Sequence, residues 1–203
     1  MAEPHASENH RLLVSTRNAH KVGEIRAILG SRFVVSDLTE LPAMPEVEET
    51  GTTFEENATL KAVAASLLFD GWVIADDSGL EVDALGGAPG VYSARYAGPS
   101  AGDADNNALL LKNLASRPTA NRSARFHCAI VLARAGRKLA AFHGTVEGSI
   151  ISLHQGTGGF GYDPLFLPEG YTETFGQLSA EVKNRLSHRA RALQKLKDWQ
   201  GWW

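Results

Sequence analysis

The stretch that most constrains the fold begins with a short apolar run, Trp72–Ile74, and continues into two adjacent acids, Asp76 and Asp77. The run is typical of the end of a buried strand, and consecutive side chains of a strand point to opposite faces. One aspartate is therefore predicted to face the core and the other a cleft. Ser78 and Gly79 are predicted to end the strand, so that the acids lie at its carboxyl end, a common place for a metal ligand or a general base. The simpler alternative is an Asp-Ser-Gly turn without function.

The 203 residues suit one domain with two lobes, which we assign to residues 11–203 behind a flexible tail at residues 1–10. The net charge of −3 argues against a general nucleic-acid or membrane-surface binder, since such proteins are usually basic. No apolar run approaches about 18 residues, and the start lacks the pattern of a signal peptide, so we expect a cytoplasmic protein. Cys128, the single cysteine, lies in an apolar strand-like run and is expected to be a buried thiol.

A strand, a polar turn and a helix follow one another near the start of the chain. Residues 11–15 have an apolar strand pattern, the turn at residues 15–21 reads STRNAHK, and helical periodicity follows. Backbone N–H groups and the positive end of the helix dipole point into such a turn, where Thr16, Asn18 and Lys21 add side-chain donors. This predicts an anion site, although the spacing is not that of a P-loop. The alternative is a helix cap made by Asn18, with Lys21 in solvent.

A second helix is predicted from Thr53 to about Phe69, because Thr53 and Glu56 have the spacing of a capping box. Asn57 and Lys61 are four residues apart and therefore project from one face, where they could hold a phosphate. An ordinary solvent-exposed face is the alternative.

Two loops flank this helix and the central strand. The loop before the helix carries Glu46, Glu48 and Glu49, which either form solvated surface or bring a second carboxylate to a metal. The loop at residues 86–98 is rich in glycine and polar groups, a composition that packing alone does not readily explain.

The second half of the chain is predicted to be richer in strands. The pattern predicts a helix over residues 103–115 that closes at Pro118, and strands over residues 124–133, 139–147 and 149–153.

The motif GTGGFG at residues 156–161 matches the GxGxxG pattern of dinucleotide-binding loops. We reject that interpretation because Pro164 follows, which favours a turn into an extended segment at residues 165–167 rather than a helix. The glycines still allow a backbone to approach a ligand closely, and Phe160 could stack on a flat ring.

The last predicted helix runs from Ser179 to about Trp199 and has a basic first half. Its charged residues there are Lys183, Arg185, His188, Arg189 and Arg191. A basic helix face is usually solvated, although here it forms a positive cluster on one side. The terminal sequence Gly201-Trp202-Trp203 looks exposed.

Together and in this order, these segments resemble the inosine/xanthosine triphosphate pyrophosphatase family. The matching motifs are STRNAHK, ETGTTFEENATLKA, ADDSGLEVDALGGAPGVYSARYAG, GTGGFGYDPLF and KNRLSHRA, spread from residue 15 to residue 190. Five ordered motifs are a highly specific match. Arg17 departs from the family pattern, which usually has glycine there, and this bears on how closely the turn can approach a ligand.

The resemblance implies Mg²⁺-dependent hydrolysis of ITP, dITP and XTP to the nucleoside monophosphate and pyrophosphate. It implies that Asp77 is the base that activates water and also a metal ligand, with Asp76, Glu48 and Glu49 assisting at the metal. The implied substrate-binding residues are Thr16, Arg17, Asn18, Ala19, His20, Lys21, Asn57, Lys61, Ser78, Phe160, Gly161, Tyr162, Asp163, Lys183, His188 and Arg189. Ser78 would touch the reacting end and the last seven would form the base pocket, while the triphosphate would be clamped by Thr16, Asn18, Lys21, Asn57 and Lys61.

The implied base pocket has a chemical logic. Donors on His188 and Arg189 suit the 6-oxo group of hypoxanthine and xanthine, and would leave unpaired groups against the 6-amino group of adenine. Guanine also carries a 6-oxo group, so its exclusion must come from its 2-amino side.

The predicted fold is α/β, with a mixed, twisted central sheet flanked by helices, in two lobes with the active-site cleft between them. The resemblance also implies a homodimer, for which the segment Tyr92–Tyr96 is a candidate contact. The expected partner is a purine nucleoside triphosphate, and not a nucleic-acid polymer or a membrane. Two alternatives remain: a pyrophosphatase of the related septum-inhibitor type with a pyrimidine or modified-base preference, and a catalytically silent nucleotide sensor. A sensor has no need of a water-activating base, so the acid pair at residues 76–77 argues against it.

Overall fold

A six-stranded mixed sheet organises the chain, whose computed structural model describes residues 10–117 and 121–202. The strands are β1 (His10–Val14), β2 (Phe33–Asp37), β3 (Trp72–Val82), β4 (Ser123–Arg134), β5 (Arg137–Ile150) and β6 (Phe166–Pro168). Their order across the sheet is β2-β1-β3-β4-β5-β6. β1 pairs in parallel with β2 and β3, and the other neighbours are antiparallel. The predicted mixed α/β fold is confirmed.

Helices cover both faces of this sheet. The α-helices of the described ranges are α1 (Ala19–Leu29), α2 (Phe54–Ser66), α3 (Asp103–Ala115), α4 (Ala180–Leu186) and α5 (His188–Lys197). Short 3₁₀ helices lie at Gly30–Arg32, Leu38–Glu40, Asp83–Leu85, Gly90–Arg95 and Gln200–Trp202. α5 packs on the face that carries Ile130, and α2 packs on the opposite face, which carries Val131. Alternating strand side chains are therefore buried on both sides.

The central strand β3 does not break where the sequence predicts. It continues through Ser78 and Gly79 to Val82, because β4 provides an antiparallel ladder along this whole segment. Gly79 serves a different purpose. A Cβ there would lie 2.4 Å from Ser93 Oγ, so glycine lets the 3₁₀ helix Gly90–Arg95 pack against the strand. β1 pairs with β3 only as far as Ile74. Residues 76–78 therefore lie just beyond the end of the parallel neighbour, although they are in mid-strand.

The predicted start of α2 is confirmed. Thr53 Oγ1 accepts a hydrogen bond from Glu56 N at 3.2 Å, and the Glu56 carboxylate accepts one from Thr53 N at 3.2 Å. The helix ends at Ser66, three residues before the predicted end at Phe69.

The prediction of a single helix from Ser179 to Trp199 is wrong, because two helices, α4 and α5, lie in that span. Ser187 leaves the helical conformation, with φ −66° and ψ 162°, and its side chain accepts a hydrogen bond from Ala190 N. A serine with this bond is an N-cap. The interruption gives α5 its own N-terminus, which carries His188 and Arg189.

Two further expectations need correction, and a third falls outside the described residues. Residues 149–153 do not form a separate strand, because β5 runs unbroken to Ile150 and there pairs with β6. His10 belongs to β1 rather than to the predicted tail, whose other residues, 1–9, lie outside the described residues. Pro118, predicted to close α3, also lies outside them.

Two hydrophobic clusters divide the long strands between them. One contains Ile74 and Leu193, and the other contains Leu80 and Phe166. Trp202 is 4% exposed and belongs to the first cluster, so the expectation of an exposed terminus is wrong for this residue; Trp203 is not described. None of the described helices is long and apolar enough to cross a membrane. The polar segment of β3 lies between the two clusters, and the cleft opens there.

Candidate active site

A cleft of about 970 Å³ opens between the two hydrophobic clusters. Most of the predicted site residues line it: Thr16, Arg17, Asn18, Lys21, Glu48, Glu49, Lys61, Asp77, Ser78, Phe160, Gly161, Tyr162, Asp163, Lys183, His188 and Arg189. Four predicted residues lie outside this lining, namely Ala19, His20, Asn57 and Asp76. Motifs from the two ends of the chain therefore converge on one concave surface.

The polar turn between β1 and α1 forms one end of the cleft. Asn18 Oδ1 caps α1 by accepting hydrogen bonds from His20 N at 2.9 Å and Lys21 N at 3.2 Å. Arg17 donates to the backbone oxygen of Met44 at 2.7 Å and so ties the turn to the acidic loop. The Asn18 cap considered as an alternative is present, but Lys21 is not in solvent. Its ammonium lies 2.6 Å from Asp76 Oδ1.

Ala19 and His20, the first two residues of α1, are not among the residues that line the cleft. Ala19 is exposed. The His20 ring stacks on Phe160 at 5.4 Å between centroids, with 16° between the planes. This contact brings the turn together with the glycine-rich loop that holds Phe160.

Lys61, Asp77 and Glu49 form the centre of the cleft. The Lys61 ammonium lies 2.8 Å from Asp77 Oδ1 and 2.8 Å from Glu49 Oε1. Glu49 also accepts from Arg95 Nη1 at 2.9 Å, whereas Glu48 is exposed to solvent. Burial raises the pKa of Asp77, although Lys61 opposes this. Two carboxylates thus share one ammonium at the point where β3 faces the cleft.

Asp76 points to the other side of β3, as strand alternation predicts, and is 1% exposed. Its Oδ2 accepts from Arg189 Nε at 2.7 Å and from Cys128 Sγ at 3.2 Å, and its Oδ1 accepts from Ser78 Oγ at 2.8 Å. Despite its burial, Arg189 and then Lys21 hold the pKa of Asp76 well below its usual range. Asp76 is almost fully buried outside the cleft lining, where it holds Arg189 and Lys21 in place; the metal role that the resemblance implies for it stays a prediction. Cys128 is a buried thiol, as expected.

Three of the five residues of the predicted basic cluster on α4 and α5 are buried rather than solvated, namely Lys183, His188 and Arg189, whereas Arg185 and Arg191 are exposed. Lys183 is 4% exposed and Arg189 is 1% exposed. Glu24, on α1, accepts from Lys183 Nζ at 2.7 Å and also from Arg189 Nη1. Lys183 makes a second ion pair with Asp163. The sequence interpretation missed Glu24, whose only local signal is its position one helical turn after Lys21.

His188 and Asn57 differ from expectation in their surroundings. The His188 ring stacks on Phe126 at 4.8 Å, and within the described part of the chain its buried Nδ1 has no hydrogen-bond partner. Burial, and then Arg189, hold the pKa of His188 well below its usual range, so the ring is neutral. Asn57 is fully buried, and its Oδ1 accepts from Gly51 N at 2.8 Å. It therefore braces the acidic loop from behind and does not contact the cleft.

Comparison with known proteins places this architecture in a family. The sequence model of the Ham1 family matches residues 12–199, nearly the whole described chain. The chain belongs to the Ham1 family. A dITP/XTP pyrophosphatase of Exiguobacterium sibiricum is 52% identical over 187 residues, 92% of this chain and 94% of the relative. Another from Geobacter sulfurreducens is 52% identical over 193 residues, 95% and 97% of the two chains.

Solved Ham1 structures share the fold. The Ham1 protein of Staphylococcus aureus superposes with a TM-score of 0.82 at 42% identity, covering 93% of this chain and 96% of that one. A HAM1 protein from Coxiella burnetii gives a TM-score of 0.84 at 38% identity, covering 93% and 97%. The family predicted from the five motifs is confirmed. The relatives from Exiguobacterium sibiricum and Geobacter sulfurreducens are named dITP/XTP pyrophosphatases, in agreement with the predicted hydrolysis of dITP and XTP.

The Ham1 site offers a limited set of metal donors. Within residues 10–117 and 121–202, no group of three or more His, Cys, Asp or Glu side chains is arranged to hold a metal ion. Among the carboxylates that line the cleft, those of Glu49 and Asp77 are held next to each other by their shared ion pairs with Lys61. In nucleotide enzymes Mg²⁺ typically takes one or two carboxylates and completes its octahedron with water and substrate phosphates. This pair therefore fits a cation that arrives with a triphosphate.

Proposed function

We propose that this chain hydrolyses ITP, dITP and XTP at the α–β phosphate linkage, consuming one water and releasing a nucleoside monophosphate and pyrophosphate. The observation that carries the proposal is the Asp77–Lys61–Glu49 group at the middle of the cleft. The helix N-terminus of α1 with its cations lines the cleft, and beside it lies the Phe160 ring, which buried Lys183 and Arg189 approach. Cations and an aromatic ring suit the phosphates and the base of a nucleotide, and the relatives' names supply the substrate class.

Asp77 is proposed as the general base. Burial raises the pKa of Asp77, and a carboxylate with a raised pKa is a stronger proton acceptor than a solvated one. Glu49 and Asp77 would hold Mg²⁺, which when bound neutralises phosphate charge. Lys61 lies next to both carboxylates and supplies a mobile positive charge toward the phosphates.

The α1 turn is proposed to bind the terminal phosphates. The positive end of α1 and the cations Arg17 and Lys21 line this end of the cleft. Because Asn18 already occupies two of the free N–H groups, its side chain positions the turn. Phosphoryl chemistry depends mainly on such positioning and charge stabilisation.

The part of the cleft that holds Phe160, next to the α1 turn, is proposed to bind the base. The His20 ring stacks on Phe160 at 5.4 Å and Lys183 Nζ lies 4.9 Å from the Phe160 centroid, so a base that stacks on Phe160 takes the place of the His20 ring. The neutral His188 ring lines this part of the cleft, and its buried Nδ1 has no hydrogen-bond partner among the residues that the structure describes, so it is the group proposed to meet the base. Arg189 already donates to Asp76, Glu24 and Ser78, so its proposed role is to hold the residues around the base in position.

We also propose Mg²⁺ as the ion, the cytoplasm as the location and a homodimer as the assembly. For the homodimer, Tyr92 supports a contact at Tyr92–Tyr96, since its side chain is 60% exposed. Sedimentation of wild type and Tyr92→Ser tests that contact, and an unchanged monomer–dimer equilibrium would exclude it.

The activity is tested by following pyrophosphate and phosphate separately with ITP, dITP, XTP, ATP, GTP and the pyrimidine triphosphates, each with and without Mg²⁺. We expect pyrophosphate, and no phosphate, from the first three when Mg²⁺ is present. Preference for a pyrimidine would favour the septum-inhibitor alternative, and nucleotide binding without turnover would favour the sensor.

Glu48 and Glu49 are neighbours in sequence, so replacing each in turn tests which of the two carboxylates supports catalysis. Glu49→Gln should lower kcat/KM for ITP by at least roughly 10-fold, the size of effect seen when groups supporting a metal site are removed. Glu48→Gln should change it little, because that side chain is exposed to solvent. Equal losses in the two variants, or a larger loss in Glu48→Gln, would show that the wrong carboxylate has been assigned.

A further inference from the structure

The Lys61 ammonium is held in a small cage of oxygens. It lies 2.8 Å from Glu49 Oε1, 2.8 Å from Asp77 Oδ1 and 3.2 Å from the backbone oxygen of Asp76. These atoms come from a loop and from two positions on β3, and the Lys61 side chain is only 15% exposed. Acceptor oxygens converging from separate segments on one buried positive charge resemble a cation site more than a surface ion pair.

Two of these oxygens belong to the carboxylates that would hold a divalent cation. An ammonium and a divalent cation cannot both lie between Glu49 and Asp77, because both are positively charged and repel each other strongly in a partly buried site. Either the ammonium leaves or the ion does not enter.

The Lys61 side chain can move away while the residues around it keep their other contacts. The helix backbone is fixed by Ser15 Oγ, which donates to the Lys61 backbone oxygen at 3.0 Å. This bond places the side chain beside the start of the turn proposed for phosphate binding. Glu49 keeps a second partner, Arg95 Nη1 at 2.9 Å, when the ammonium moves away. A long, flexible lysine chain can therefore move between two anionic partners while the carboxylates stay in position.

We propose that Lys61 occupies the divalent-cation position in the nucleotide-free protein and vacates it only when a triphosphate offers it new anionic oxygens. This inference rests on the proposed function and adds to it an order of events. The free protein binds the divalent ion weakly, and nucleotide and metal bind with strong positive coupling. The coupling is reciprocal, because each ligand must favour the other by the same factor.

Mn²⁺ is a suitable probe, since its paramagnetic signal reports binding to the protein without any nucleotide or turnover. We expect nucleotide-free Lys61→Met to bind Mn²⁺ about tenfold or more tightly than wild type, within the usual range of coupling between two sites. Lys112→Met on α3, outside the cleft lining, should leave the affinity unchanged. Adding Glu49→Gln to Lys61→Met should abolish the gain, which assigns the Mn²⁺ to this site. Equal or weaker Mn²⁺ binding in a folded Lys61→Met would overturn the proposal.

A measurement on wild type does not depend on how the variant folds. The α,β-methylene analogue of ITP should tighten Mn²⁺ binding beyond what the analogue achieves alone in solution, and Lys61→Met should show less of this enhancement. Absence of any enhancement in wild type would also overturn the proposal. Neither readout involves hydrolysis, so failure of the pyrophosphatase assay and failure of the lysine displacement are separate results.

Discussion

Asp77→Asn should lower the rate of pyrophosphate release from ITP by about 10²- to 10⁴-fold, the range that a positioned general base contributes. Asparagine has the shape of aspartate and can still accept a hydrogen bond from Lys61, but it cannot take a proton from water. The substituted side chain removes one negative charge near the triphosphate, so nucleotide binding should persist. Single-turnover rates and ITP affinity, measured separately, check both parts of this expectation.

The pH dependence gives a second readout for the same residue. Since burial raises the pKa of Asp77 above its ordinary value of 3.8, wild-type kcat/KM should fall as the pH drops through that raised value. The acid limb should be absent from the residual activity of Asp77→Asn. Asp70→Asn, at an exposed position outside the cleft, is the control and should retain both rate and profile. Near-wild-type turnover in Asp77→Asn would remove the residue from the role of base.

Local sequence signals predicted the parts of the fold that depend on neighbouring residues. The capping box at Thr53 and Glu56 set the start of α2, because its two hydrogen bonds join residues three apart. The side-to-side alternation of Asp76 and Asp77 followed from strand geometry alone. Both predictions needed no knowledge of distant partners.

The errors arise where a distant segment decides the local structure. Ser78 and Gly79 have the sequence of a turn, yet β4, about 50 residues further along, pairs with them and keeps the strand extended. Similarly, helical periodicity across Ser187 gave no warning of the break. That serine satisfies the start of α5, whose first residues carry the buried Arg189 to Asp76, 113 residues away.

The candidate site shows the same division. Motifs identified most of the residues that line the cleft, because their chemical types are unusual in those positions. Glu24 gave no such signal, since its partners lie 159 and 165 residues away. Asn57 gave a misleading one: its spacing from Lys61 is correct for a shared face, but a bond to Gly51 keeps it behind the loop. The sequence pattern could not predict which charged residues pair between distant segments.

Arg189→Met tests that charge pairing and should be the most destabilising of the substitutions considered. The guanidinium is 1% exposed and lies between the carboxylates of Asp76 and Glu24. Methionine fills similar apolar volume but leaves both acids without this partner. Breaking a buried ion pair from one side typically costs about 3–5 kcal/mol of unfolding free energy. Lys21 and Lys183 remain beside the two acids, so we expect the lower end of that range.

The destabilisation should depend on pH with a definite sign. In wild type the folded-state pKa of Asp76 is held well below its ordinary value, so its contribution to stability is complete above about pH 4, the unfolded pKa, and is lost as the pH falls further. In Arg189→Met the folded-state pKa of Asp76 rises, because the guanidinium no longer favours the ionised form. The difference in unfolding free energy between the two proteins should therefore be largest near pH 7 and shrink in acid.

Urea unfolding at pH 7 and at about pH 3, below the unfolded pKa of Asp76, measures this difference, and Arg191→Met is the matched control. Arg191 is exposed and donates to the Thr145 backbone oxygen at 2.7 Å, so its loss should change stability by only about 0.5 kcal/mol at either pH. An Arg189→Met protein as stable as this control at pH 7 would mean that Asp76 and Glu24 are satisfied without Arg189. A penalty that stays constant with pH would assign the loss to packing, because only an uncompensated carboxylate is relieved by protonation.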